Sequence, residues 1–106
     1  MTDTVQIGPL SVDRNAVAAL CRRRHIRKLS LFGSALRKDA TVESDVDVLV
    51  DFEPGHTPGF FAFHDIEEEI SALFKGRPIH LATPRSIDSY QREQVKRHAE
   101  VLFAAR

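Results

Sequence analysis

Asp45 and Asp47 stand two residues apart at the head of an apolar run that ends at Phe52. In an extended strand side chains alternate, so both carboxylates share one face. Leu49 and Asp51 continue that face, while Val46, Val48, Val50 and Phe52 take the other as core. Two adjacent carboxylates repel unless a cation neutralises them. Mg²⁺ suits the pair, because it takes oxygen ligands and uses a couple of carboxylates together with substrate phosphates.

Upstream, Gly33-Ser34 closes a second apolar run. Glycine lets a phosphate approach the backbone closely. The turn into a following helix presents unpaired N–H groups to an anion. The Ser34 hydroxyl adds a hydrogen bond, and Arg37, one turn later, can reach a phosphate with its guanidinium. Ser44, directly before the acidic pair, is a further phosphate candidate. Each piece alone is common: Gly-Ser occurs in many turns, and D-x-D in many strands. Their combination could hold a nucleoside triphosphate between backbone donors and metal, with charge stabilisation assisting in-line attack at phosphorus.

The elements that must position these residues follow from local pattern. Residues Met1 to Pro9 read as a polar arm with a short extended piece around Val5 to Ile7. Ser11 or Asp13 caps a helix running to Arg24, with Val17, Leu20 and Cys21 on one face. The basic run Arg22-Arg23-Arg24-His25 reads as a solvated helix end that complements the dipole. Lys28 to Gly33 is a strand, 38–44 a polar loop, and Val46 to Phe52 the next strand. The crossover between them is too short for a parallel pair, so the two should run antiparallel.

Phe60 to Lys75 is the clearest helix, with Phe63, Ile66, Ile70 and Leu73 at helical spacing and Glu67, Glu68 and Glu69 on a solvated side. Phe60 and Phe61 read as core or as a partner surface. Gly76 fits a helix C-cap. Arg77 to Ala82 is a third strand, and Thr83-Pro84 opens a turn into a helix from about Ser89 to Ala104. The pattern is α+β: a mixed sheet of at least three strands with helices packed on one face. Residues 1–106 read as a single domain whose first ten residues form an N-terminal arm.

Composition limits the partners. The formal net charge is zero, which removes any global argument for nucleic acid. The 42% hydrophobic content argues against disorder. Cys21 is the one cysteine, so no internal disulfide can form, and no pair or cluster of residues suggests a zinc site. Cys21 itself reads as core rather than nucleophile. No apolar run is long enough to span a membrane, and the first residues lack a signal-peptide pattern, which makes the cytoplasm the expected compartment. His25, His56, His64 and His98 show no ligand-like spacing.

The stretch FGSALRKDATVESDVDVLVDF resembles the nucleotidyltransferase signature of the DNA polymerase β-like superfamily: Gly-Ser, an arginine shortly after, then Ser-Asp-x-Asp on the next strand. The short chain is similar to the smallest branch, the minimal nucleotidyltransferases, and the resemblance runs from about Asp13 to the C-terminus. It implies a mixed sheet backed by helices and Mg²⁺-dependent transfer of a nucleoside monophosphate from a triphosphate, ATP by analogy, to an acceptor. Many small members are antitoxins paired with HEPN-type RNase toxins, and some add AMP to a tyrosine of the toxin. By resemblance, Gly33 and Ser34 hold the triphosphate, while Asp45 and Asp47 bind metal.

One position departs from the pattern. The family usually carries a third carboxylate on the next strand, where this chain has His80 within Ile79-His80-Leu81-Ala82-Thr83-Pro84. Alternation turns His80 away from Ile79 and Leu81, toward the Asp pair. Three readings stay open. His80 acts as general base, since imidazole changes charge near neutral pH. Alternatively it is a nitrogen ligand that shifts preference toward Mn²⁺ or Zn²⁺. In the third reading catalysis is lost, and a nucleotide- or partner-binding antitoxin neutralises its toxin by masking it. The small size also points to a partner chain or self-association completing the site.

Overall fold

Val46, Val48, Val50 and Phe52 are buried, whereas Asp47, Leu49 and Asp51 between them are half-buried. That alternation makes the strand a divider between a packed face and an open one. The computed structural model describes residues 4–7, 10–32, 45–86, 93 and 99–105. Among these, β1 (Thr4–Ile7) and β2 (Leu10–Asp13) form an antiparallel ribbon. There follow α1 (Arg14–Arg23), β3 (Ile26–Phe32), β4 (Val46–Phe52), α2 (Phe60–Leu73), β5 (Ile79–Ala82) and β6 (Glu100–Ala104). The main sheet has the order β5-β4-β3-β6.

β3 and β4 pair antiparallel, as the short crossover requires. β4 and β5 pair parallel, joined by the long crossover that contains α2. The sheet is therefore mixed. Its inner face carries Leu29, Leu31, Val46, Val48, Val50 and Leu81. Against it α1 buries Val17, Leu20 and Cys21, and α2 buries Ile66 and Ile70, with Phe74 just beyond. These positions recur at three- and four-residue intervals, so each helix shows the core one apolar stripe.

Local chemistry sets the helix ends. Asp13 caps α1 by accepting from the Asn15 N–H at 2.9 Å, while also ending β2. At the end of α2 the residue in the left-handed region just past the cap is Lys75, φ +60°, followed by Gly76 at +81°. The Gly76 N–H donates to the Ser71 carbonyl and the Lys75 N–H to that of Ala72, a Schellman closure. Gly76 thus sits one place beyond the position the sequence suggests.

Three further expectations are corrected. Residues 10–13 form a strand that extends the N-terminal arm into a ribbon. Residues 100–104 are not the end of a helix. They form β6, which pairs antiparallel with the otherwise open edge of β3; of the rest of that expected helix only Glu93, which is helical, and Ala99, which is not, are among the described residues. The basic run and the glutamates are not merely solvated. Glu69 accepts from the guanidinium of Arg23 at 2.6 Å and from that of Arg24 at 2.6 Å, tying the end of α1 to the middle of α2. Burial raises the Glu69 carboxyl, but the two arginine hydrogen bonds and charges outweigh it and hold its pKa below the ordinary glutamate value.

Candidate active site

Strand register assembles the candidate site on the open face. Phe32 of β3 lies opposite Asp47 of β4, and Asp47 lies opposite His80 of β5. Partners across a ladder share a face, so these three side chains form one row. The next row contains Ser30, Leu49 and Ala82. Phe32, Leu49 and Ala99 pack around Ala82, giving the polar row a small apolar floor.

His80 Nδ1 lies 3.2 Å from Asp47 Oδ1. The His80 side chain is 78% exposed and that of Asp47 20%, so the imidazole stands in solvent over a mostly covered carboxylate. A carboxylate only accepts, so in this contact the His80 Nδ1–H donates to Asp47 Oδ1. Asp45 is exposed, just ahead of the first residue of β4.

The donor set of Asp45, Asp47 and His80 is oxygen-rich with one nitrogen, which fits Mg²⁺ or Mn²⁺. Among the described residues, the three do not bring one ligand atom each within 4.8 Å of one another, so they form no closed cage. Mg²⁺ needs none, because it keeps waters and takes substrate phosphates beside one or two carboxylates. Gly33, Ser34, Arg37 and Ser44 lie outside the described residues. Gly33 follows Phe32 directly in the chain, and Phe32 is the cross-strand partner of Asp47.

Other singled-out residues fall elsewhere. Cys21 is fully buried, and burial pushes its thiol up to about 12, partly offset by Arg22. It is core. Phe60 and Phe61 are 83% exposed and meet edge to face, while Phe63 packs against the core. His64 faces Glu67 and Glu68 of its own helix at 3.8 and 3.4 Å. His25 and His56, distant in sequence and read as unrelated, stack on each other beside Glu53. The one local signal for that contact was the Pro54-Gly55 turn.

A mixed four-stranded sheet with helices on its inner face is the architecture of the polymerase β-like nucleotidyltransferases. The chain belongs to the nucleotidyltransferase domain family, whose pattern matches residues 14–102. It is 39% identical over 70 residues to the protein adenylyltransferase MntA of Thermococcus cleftensis, covering 66% of this chain and 68% of that protein. A solved structure provisionally described as a minimal nucleotidyltransferase superposes with a TM-score of 0.66 at 34% identity, covering 81% of this chain and 85% of the other. A toxin–antitoxin structure with AMP-PNP shares the fold, with a TM-score of 0.68 at 20% identity over 88% of this chain and 74% of that one. No helix among the described residues is long and apolar enough to cross a membrane.

Proposed function

We propose that the protein transfers AMP from ATP to a protein acceptor, a HEPN-type toxin, and acts as its antitoxin in the cytoplasm. The observation that carries this reading is the row Phe32, Asp47, His80. It puts a carboxylate between the strand that leads into Gly33-Ser34 and a strand bearing an outward imidazole. Family membership and the likeness to MntA support the reaction class, and the likeness to toxin–antitoxin structures supports the kind of partner.

Asp45 and Asp47 are the residues that would hold Mg²⁺, which when bound offsets charge on the triphosphate. Gly33 and Ser34, with Arg37 and Ser44, bind the phosphates. Asp47 fixes the His80 ring through Nδ1, so that Nε2 takes the proton of the acceptor hydroxyl. The hydroxyl oxygen then bonds to the α-phosphorus, and pyrophosphate leaves with the electrons of the broken P–O bond. The exposure of His80 leaves that nitrogen open to a group presented by another protein.

Incubation with α-labelled ATP and the co-purified partner tests this reading. Label should move to the partner, and Asp47→Asn should stop it. Unchanged labelling in that variant sinks the assignment of Asp47.

A second reading rests on His80 itself, which stands where the resemblance expects an acid. In that case the protein masks its toxin with little transfer, and His80→Asp creates activity that the wild type lacks. Toxin neutralisation without nucleotide would favour this reading over the first.

A further inference from the structure

A second cluster of ligand-type side chains lies at the far end of the β3–β4 pair. His25 directly precedes β3 and Glu53 directly follows β4, and the strand residues beside them, Ile26 and Phe52, are cross-strand partners. The Glu53 N–H donates to the His25 carbonyl at 2.9 Å, which closes this end of the ladder. The chain then turns through Pro54 and Gly55, with Gly55 at φ +81° and the His56 N–H donating to the Glu53 carbonyl at 3.0 Å. Proline followed by a glycine of positive φ is the pattern of a type II turn. That turn returns His56 onto His25.

The side chains converge. The two imidazoles stack with centroids 4.0 Å apart and planes 15° from parallel. His25 Nδ1 lies 3.5 Å from Glu53 Oε2. One ligand atom from each of His25, Glu53 and His56 lies within 4.8 Å of the others. Among the described residues, no other group of three or more His, Cys, Asp or Glu converges so closely. His25 holds its place with φ +57°, a conformation uncommon for a residue with a side chain.

We propose that His25, Glu53 and His56 form a binding site for a divalent transition metal of the Zn²⁺ class. A tetrahedral ion about 2.1 Å from each donor needs donors about 3.4 Å apart. The His25–Glu53 pair already meets that spacing, and rotation of the exposed His56 ring supplies the rest. Two imidazoles and one carboxylate favour Zn²⁺, Co²⁺ or Ni²⁺ over Mg²⁺. Three protein ligands leave a position for water. The ion would tie the start of β3 to the turn after β4. Asp47 lies across from the other end of β3, about 20 Å along the strand, so this site is separate from the one proposed for transfer and does not depend on it.

The test uses tag-free, chelator-treated full-length protein, titrated with Zn²⁺ by calorimetry and with Co²⁺ by visible absorption. In the Asp45→Asn/Asp47→Asn variant, which lacks the other candidate metal site, one ion per chain should still bind. His56→Ala, in an exposed turn, and His25→Asn, which tolerates the left-handed backbone, should each weaken binding about tenfold or more. Zn²⁺ should raise the thermal midpoint of the wild type and leave that of His56→Ala unmoved. The proposal is overturned if no saturable binding occurs below millimolar Zn²⁺, if His56→Ala titrates like wild type, or if binding vanishes with Asp45 and Asp47. Circular dichroism of each variant establishes that a lost site is not a lost fold.

Discussion

His80 Nδ1 sits 3.2 Å from Asp47 Oδ1 because β5 lies parallel to β4 in a register that makes the two residues partners. The contact is set by backbone pairing, so it is present before any substrate binds. The imidazole at position 80 is therefore held beside Asp47 by the sheet itself. If Asp47 holds metal, Asp47→Asn should lower kcat/KM for transfer about 100-fold or more, since losing even an outer partner of a metal ligand costs ~10–100-fold. If His80 is the base, His80→Ala should lower kcat about 100-fold with KM for ATP little changed. Steady-state labelling of the partner separates the two effects. A fall confined to KM would make His80 a binding residue.

The Glu69 clamp on Arg23 and Arg24 predicts an acid-dependent stability. Its folded pKa lies below the ordinary glutamate value of 4.5. The contribution is therefore complete above that value and is lost as pH falls through the lower folded one. Glu69→Gln should lower stability at pH 7 by about 1 kcal/mol or less, the range for partly exposed ion pairs. The gap between variant and wild type should close on acidification. Thermal melts across acidic pH check this, and a gap that persists unchanged at the lowest pH would assign the loss to packing.

Cys21 should resist thiol reagents at pH 8 until the protein unfolds, because its thiol is buried and pushed up to about 12. The unfolded thiol ionises near 9.0. Between those values the unfolded state loses the proton first, so stability should fall as pH rises through this window. Labelling rates in native buffer and in denaturant test the first statement. Alkaline melts of Cys21→Ala against wild type test the second.

Leu31 is fully buried between the sheet and the helices, so Leu31→Ala should cost about 2–5 kcal/mol. Phe61 is larger but 83% exposed, and Phe61→Ser should change stability by about 0.5 kcal/mol or less. Urea denaturation of both variants measures the contrast. The residue type alone would rank them the other way.

Much of the frame was legible in the chain because it depends on near neighbours. The β4 alternation, the α1 and α2 stripes, the Asp13 cap and the antiparallel β3–β4 pair follow from spacing over a few residues. The last strand was not legible. Glu100 to Ala104 has no alternation strong enough to set it apart from the ragged helical pattern before it, and it becomes β6 by pairing with the open edge of β3. Glu69 gave no local sign of being a clamp, since its partners lie on another helix.

The sequence by itself determined which faces are apolar, the two-residue spacing of Asp45 and Asp47 at the head of β4, and that position 80 carries an imidazole. Those are covalent spacings read through the fixed periods of strand and helix. Tertiary structure alone decided the register that pairs His80 with Asp47 rather than with another residue of β4, that β6 closes the sheet edge, and that His25, Glu53 and His56 gather at the opposite end. Each of these joins residues far apart in the chain, and only strand register and a turn's return path bring such residues within reach.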